Sequence, residues 1–220
     1  MNRIATPLLV LVAIVFAAPL GCSKAYYRTM EAFGKEKRDI LTSRVKEAQE
    51  GQEEAKEQFE SALDRFSKLV NAPDSDLRKA YNRAKDDFDR SESRANAVRD
   101  KVDAVEEVGR DLFNEWEREL KEYSTEDARS RSRRQLQETR RRYDQMLAAM
   151  KRAEASMDPV LDRFRDAVLS LKHTLNAEAV AALRGTVSDL EDEVESLIKD
   201  MERSIEESNR FIAQMQKAEE

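Results

Sequence analysis

With a single cysteine, Cys22, the chain has no internal disulfide available to staple a small core, and with a single histidine, His173, it cannot assemble the usual zinc or di-iron ligand sets. The residue three before His173 is Ser170, so even one Glu-x-x-His pair is missing. His-Glu-x-x-His, Gly-x-x-x-x-Gly-Lys and Gly-x-Ser-x-Gly patterns are also absent, which removes common zinc-protease, phosphate-loop and nucleophile-elbow chemistries. Four prolines and five glycines in 220 residues are too few for a sheet-rich fold with many tight turns. There is no strong basic excess: the net charge is −6, and nothing in it argues for nucleic acid. No catalytic residue, metal or cofactor is assigned, and a non-enzymatic protein is expected.

What the chain does have is periodicity. Charged residues reach 38% and aromatics only 6%, a balance that would suggest disorder if the apolar residues were scattered. They instead recur alternately every three and four positions, the spacing that lines one face of a helix. Leu41, Val45, Ala48, Gln52, Ala55, Phe59, Ala62 and Phe66 trace the first seam, ended by Pro73 in Asn71-Ala72-Pro73-Asp74-Ser75. Tyr81, Ala84, Phe88, Ser91, Ala95, Val98, Val102, Val105, Gly109, Leu112 and Trp116 trace the second. The third runs from Leu136 through Tyr143, Met150, Met157 and Phe164 to Leu171, in register across Pro159, where a kink is expected rather than a break. Val187, Leu190, Val194, Leu197, Met201, Ser204, Ser208 and Phe211 trace the fourth.

The predicted helices cover about residues 26–70, 76–123, 126–174 and 177–217, within one domain from 26 to 220. Short connections favour an elongated antiparallel four-helix bundle or coiled coil, all-α, running up-down-up-down. Two long hairpins packing on partner chains are the alternative. Polar seam residues Gln52, Ser91, Ser204 and Ser208 would set register within one chain or between several, so oligomeric state stays open.

Residues 1–21 read as an export segment: Arg3 gives a positive start, Leu8 to Ala18 an apolar run, and Ala18-Pro19-Leu20-Gly21 a cleavage region before Cys22. The Gly21-Cys22 ending resembles a bacterial lipoprotein signal, with Pro19 in the place usually held by leucine. That resemblance implies acylation of Cys22, a tether at 22–25, and, with Ser23 after the cysteine, an outer-membrane anchor facing the periplasm. An ordinary secretory peptide cleaved nearby is the alternative.

Adjacent acids such as Glu53-Glu54, Asp86-Asp87, Glu106-Glu107 and Glu206-Glu207 are expected on solvated faces, since neighbouring helical positions point apart. The start of the third helix is basic, with Arg133, Arg134, Arg140, Arg141 and Arg142 its candidate lipid-facing cluster. These arginines would either meet anionic lipid or pair with acidic finishes of helices two and four, among them Glu115, Glu117, Glu202, Glu206 and Glu207. Ser75, Asp76, His173 and Asn176 fall at turns that share one end of the bundle and form a candidate partner-binding tip. The plainer reading of His173 is a cation beside Lys172 offsetting the helix dipole.

Five segments carry a family likeness: Cys22-Ser23-Lys24-Ala25-Tyr26-Tyr27, Lys37-Arg38-Asp39-Ile40-Leu41, Glu54-Ala55-Lys56-Glu57-Gln58-Phe59, Arg140-Arg141-Arg142-Tyr143-Asp144 and Leu171-Lys172-His173-Thr174-Leu175-Asn176-Ala177. With them the chain resembles a family of uncharacterised proteobacterial lipoproteins defined as a domain of unknown function. The resemblance spans nearly all of residues 22–220 and implies an envelope location and helical architecture, without assigning a site. The expected role is a membrane-anchored periplasmic scaffold, spacer or partner-binding module, held to lipid through Cys22 and serving an unidentified protein partner. A peripheral binder lying on the membrane through the basic cluster is the second expectation.

Overall fold

The computed structural model of the chain describes residues 37–71, 76–173, 180 and 183–217. Contacts divide the chain into Met1–Glu36 and Lys37–Glu220, and every helix below belongs to the second unit. In order these are α1 (Lys37–Asn71), α2 (Leu77–Glu119), α3 (Glu126–Ala155), α4 (Met157–His173) and α5 (Arg184–Lys217). No strand occurs among the described residues.

Local chemistry sets the ends. The Asp76 carboxylate accepts from Lys79 N at 3.0 Å to cap α2, and the Thr125 hydroxyl accepts from Ala128 N at 3.4 Å to cap α3. Glu126 and Asp127 then sit in the first turn of α3, where carboxylates suit the dipole. Helix α2 stops at Glu119, short of Tyr123, because tighter turns take over. Lys121 N donates to Arg118 O at 3.1 Å and Glu122 N to Glu119 O at 2.9 Å, while Leu120 stays buried.

Near the expected kink, the helical run is interrupted by a single turn residue, Ser156, three residues before Pro159. Proline has no N–H to offer the Ala155 carbonyl four residues back, and its ring crowds that carbonyl. The chain nonetheless keeps helical angles at Ser156 (φ −70°, ψ −13°), and Ser156 N still donates to Arg152 O at 3.0 Å. Met157 and Val160 remain buried, so the seam crosses the interruption in register.

Helix α1 packs on α2 and α5, and the α3/α4 pair packs on the same two neighbours, which makes a square of four rods. Direction follows from the cross-helix partners. As numbers rise along α1 they fall along α2: Lys37 meets Glu115, Glu54 meets Arg94, and Arg65 meets Asp87. The same inversion relates α2 to α3/α4, through Glu117 with Arg140, Glu106 with Lys151 and Arg99 with Asp158. It also relates α3/α4 to α5, through Ser156 with Asp200 and Arg163 with Glu193. The bundle is therefore up-down-up-down, as the short connections imply.

This register stacks seam residues in layers one heptad apart. Phe66, Phe88, Phe164 and Leu190 form one, with ring centroids 5.6 Å apart for Phe66 and Phe164 and 6.1 Å for Phe88 and Phe164, both edge-on. Val45, Gly109, Tyr143 and Phe211 form another. Gly109 is needed there, because a Cβ would clash with the hydroxyl-bearing edge of the Tyr143 ring. Between them the register places Gln52, Val102, Met150 and Ser204 together, all fully buried.

Candidate functional site

One acid contradicts the expectation of a solvated face. Asp87 is only 3% exposed, beside Phe88 on the inward side of α2. Its carboxylate receives the Arg65 guanidinium from α1, Nε lying 3.0 and 2.9 Å from Oδ1 and Oδ2 and Nη2 2.8 Å from Oδ1. Arg90 Nη2 approaches the same Oδ1 from one turn along α2. The Asp87 carbonyl is satisfied as well: Ser91 Oγ donates to it at 2.9 Å and Gln58 Nε2 at 3.3 Å. A buried carboxylate is tolerable because two cations and a polar network surround it.

Beside this network a cleft of about 680 Å³ opens between the C-terminal part of α1 and the N-terminal part of α2. Its floor is Phe66, Leu69, Ala80 and Ala84, and its rim carries Arg65, Lys68, Arg83 and Arg90 against Asp86 and Asp87. Two alanines one helical turn apart leave the space that larger seam residues fill elsewhere. The sequence hides this site, since adjacent acids look alike in a list. The one signal was Arg90, placed three residues after Asp87 on the same helix face.

The basic cluster divides. Arg140 Nη1 binds Glu117 Oε1 at 2.6 Å, and its guanidinium lies 4.9 Å above the centre of the Phe113 ring. Arg142 turns to Glu138 on its own helix, and Arg134 Nη1 donates to Ser130 Oγ at 2.8 Å. Arg133, Arg134 and Arg141 are exposed, while Arg140 and Arg142 are half-buried. The pairing expected with helix two is thus present at Arg140. The acids of α5 are engaged elsewhere: Glu206 and Glu207 take Arg210, and Glu202 lies 4.0 Å from Lys56.

Of the tip residues, Asp76 is the α2 cap and His173 is exposed in the last turn of α4 beside Lys172. The topology puts both at the bundle end opposite Lys37. Ser75, Asn176 and Cys22 lie outside the described residues.

Burial displaces Tyr143 and Glu154 from ordinary ionisation. Burial pushes the Tyr143 phenol well up, with the Glu106 carboxylate adding to it, so the hydroxyl stays a donor to Val105 O at 3.2 Å. Burial also raises the Glu154 carboxyl, and Asp103 reinforces the shift. Arg99 and Lys151 oppose it only partly, since Asp158 and Glu106 already engage them. Among the described residues, no group of three or more His, Cys, Asp or Glu is placed to hold a metal ion. None of the described helices is long and apolar enough to cross a membrane.

Comparison with curated proteins gives no match. A protein-family model, described as protein of unknown function (DUF2959), matches residues 26–215, most of the chain and every described helix up to Met215. The chain belongs to the DUF2959 family, whose members share this domain of unknown function.

Proposed function

We propose that the protein is a non-enzymatic helical lipoprotein of the bacterial envelope, anchored through acylated Cys22, which holds or spaces a partner on the periplasmic side of the outer membrane. The observation that carries this reading is the order of parts. An apolar run ending at the only cysteine precedes four seams whose large side chains are spent on packing. Acyl labelling and fractionation of wild type beside Cys22→Ala test it. Loss of label and release of the variant into the soluble fraction are expected; unchanged behaviour returns the chain to the secreted class.

The partner is sought at the bundle end opposite Lys37. Photocrosslinkers placed at Asp76 and His173 should trap a discrete protein in intact cells, and recovery of bulk lipid neighbours alone would count against a specific partner there. A second reading, a membrane-surface binder, draws on the exposure of Arg133, Arg134 and Arg141. Vesicle sedimentation separates the two readings. Binding that rises with anionic lipid and falls when these three become Gln would favour the surface binder.

A further inference from the structure

We propose that the cleft between α1 and α2 binds one single-chain lipid carrying a phosphate headgroup, its alkyl chain on the apolar floor and its phosphate on the arginine rim. Three observations converge. The volume, about 680 Å³, lies within the roughly 300–1,000 Å³ of small-molecule clefts. The floor is apolar and built from both helices, with Phe66, Ala80 and Ala84 buried and Leu69 half-buried at the edge. The rim is cationic in a chain whose net charge is −6, so its local sign opposes that of the whole.

The rim is also organised in advance. Asp87 holds Arg65 through Nε and Nη2, and holds Arg90 through Nη2 alone. The remaining guanidinium hydrogens of both residues are available to an anion at the mouth, where each side chain is about half exposed. A phosphate matches such forks in charge and geometry, and binding it requires little further ordering of either arginine. Lys68, at the solvent edge beside Asp64, adds a third cation. An uncharged chain would leave this rim unused, and a bare phosphate would leave the floor wet.

Titration calorimetry on the full chain, with dodecyl phosphate below its micelle-forming concentration, tests the proposal. Dodecanol and inorganic phosphate are the controls. Saturable one-to-one binding of dodecyl phosphate is expected, at least tenfold tighter than either control. Arg90→Gln and Lys68→Gln should each weaken it several-fold. Arg90 is chosen because Arg65 still neutralises Asp87 in its absence, and Lys68 because it is exposed, so both variants should melt like wild type. Leu69→Glu should abolish binding by charging the floor. The Leu8 to Ala18 run is present in every arm and cancels between variants. Absence of saturable binding overturns the proposal, as does equal affinity for dodecanol or inorganic phosphate, or indifference to both Arg90→Gln and Lys68→Gln. Neither acylation nor fractionation enters the measurement, so its failure leaves the anchor reading untouched and the converse also holds.

Discussion

At the scale of single residues, two buried glycines, Gly109 on the second seam and Gly51 beside the first, have opposite reasons for being there. Glycine inside a helix costs about 0.5–1 kcal/mol against alanine, so replacing it should help wherever a methyl fits. At Gly109 it does not fit: the added Cβ meets the Tyr143 ring, which is fixed by its hydrogen bond to Val105 O and by Phe113, whose centroid is 5.2 Å away. Overpacking of a rigid ring costs about 1–3 kcal/mol and outweighs the helix gain. Gly109→Ala should therefore lower the unfolding free energy by about that amount in denaturant titrations, and most of the loss should vanish in a Tyr143→Ala background. At Gly51 the methyl would meet only the flexible stem of Lys101, with Cδ at 2.8 Å. That stem can move, so Gly51→Ala should be neutral or stabilising by up to about 1 kcal/mol. Glu154 gives a pH signature. Its raised folded pKa means the native state holds its proton longer than the unfolded chain, so this group's penalty appears as pH rises from the usual value of 4.5 through the folded value. Glu154→Gln should stabilise the protein at neutral pH, and the advantage should disappear in melts below pH 4.5.

At the scale of elements, the four seams were readable because burial every three and four residues leaves a direct mark on sequence. Phe59, Val102, Met150 and Leu197 all lie where the alternation puts them, fully or almost fully buried. Less readable was the width of each buried stripe. Positions flanking the seam, among them Ile40, Gly51, Asp87, Val108 and Phe113, are buried because the adjacent helix leans over them, a fact that depends on packing partners rather than on periodicity. That is why Asp87, and the cleft beside it, escaped a reading that treated neighbouring acids as solvated. A kink is expected from Pro159; the interruption at Ser156 follows from which carbonyl the proline leaves without a donor. Among the polar seam residues, Ser91 and Ser208 return their hydroxyls to carbonyls four residues back, Asp87 O and Ser204 O. Among the described residues, Gln52 and Ser204 find no partner for their side-chain polar atoms, and the register stacks them in one layer with Val102 and Met150. A buried polar group left without a partner costs about 1–3 kcal/mol. Gln52→Leu should thus raise the denaturation midpoint, and light scattering should show whether it also relaxes the association state, as expected of a polar residue that fixes register. A fall in midpoint instead would mean that an ordered water completes the layer.

At the scale of the whole helical unit from Lys37 onward, two kinds of cohesion compete for credit. Its faces carry many cross-helix ion pairs, such as Arg94 with Glu54 and Lys151 with Glu106, but all four of these side chains are more than two-fifths exposed. Pairs of that kind contribute about 0–1 kcal/mol each and are screened by salt. The Phe66, Phe88 and Phe164 layer is buried, and removing Phe164 would leave two rings without their shared neighbour. Phe→Ala in such a site costs about 3–5 kcal/mol. The molecule also supplies a distant reporter. Trp116, its only tryptophan, lies near the Lys37 end of the bundle, where its indole N–H donates to Ser132 Oγ at 2.9 Å and Arg38 lies 4.6 Å above its ring. If continuous layers make the bundle one cooperative unit, Phe164→Ala must shift the Trp116 fluorescence transition and the helical circular-dichroism transition together, and 0.5 M salt, on the order of the screening that weakens surface pairs, must move both far less. Should the two transitions separate, the segments on either side of Ser156 unfold independently, and the interruption at Pro159 divides the bundle's stability as well as its third rod.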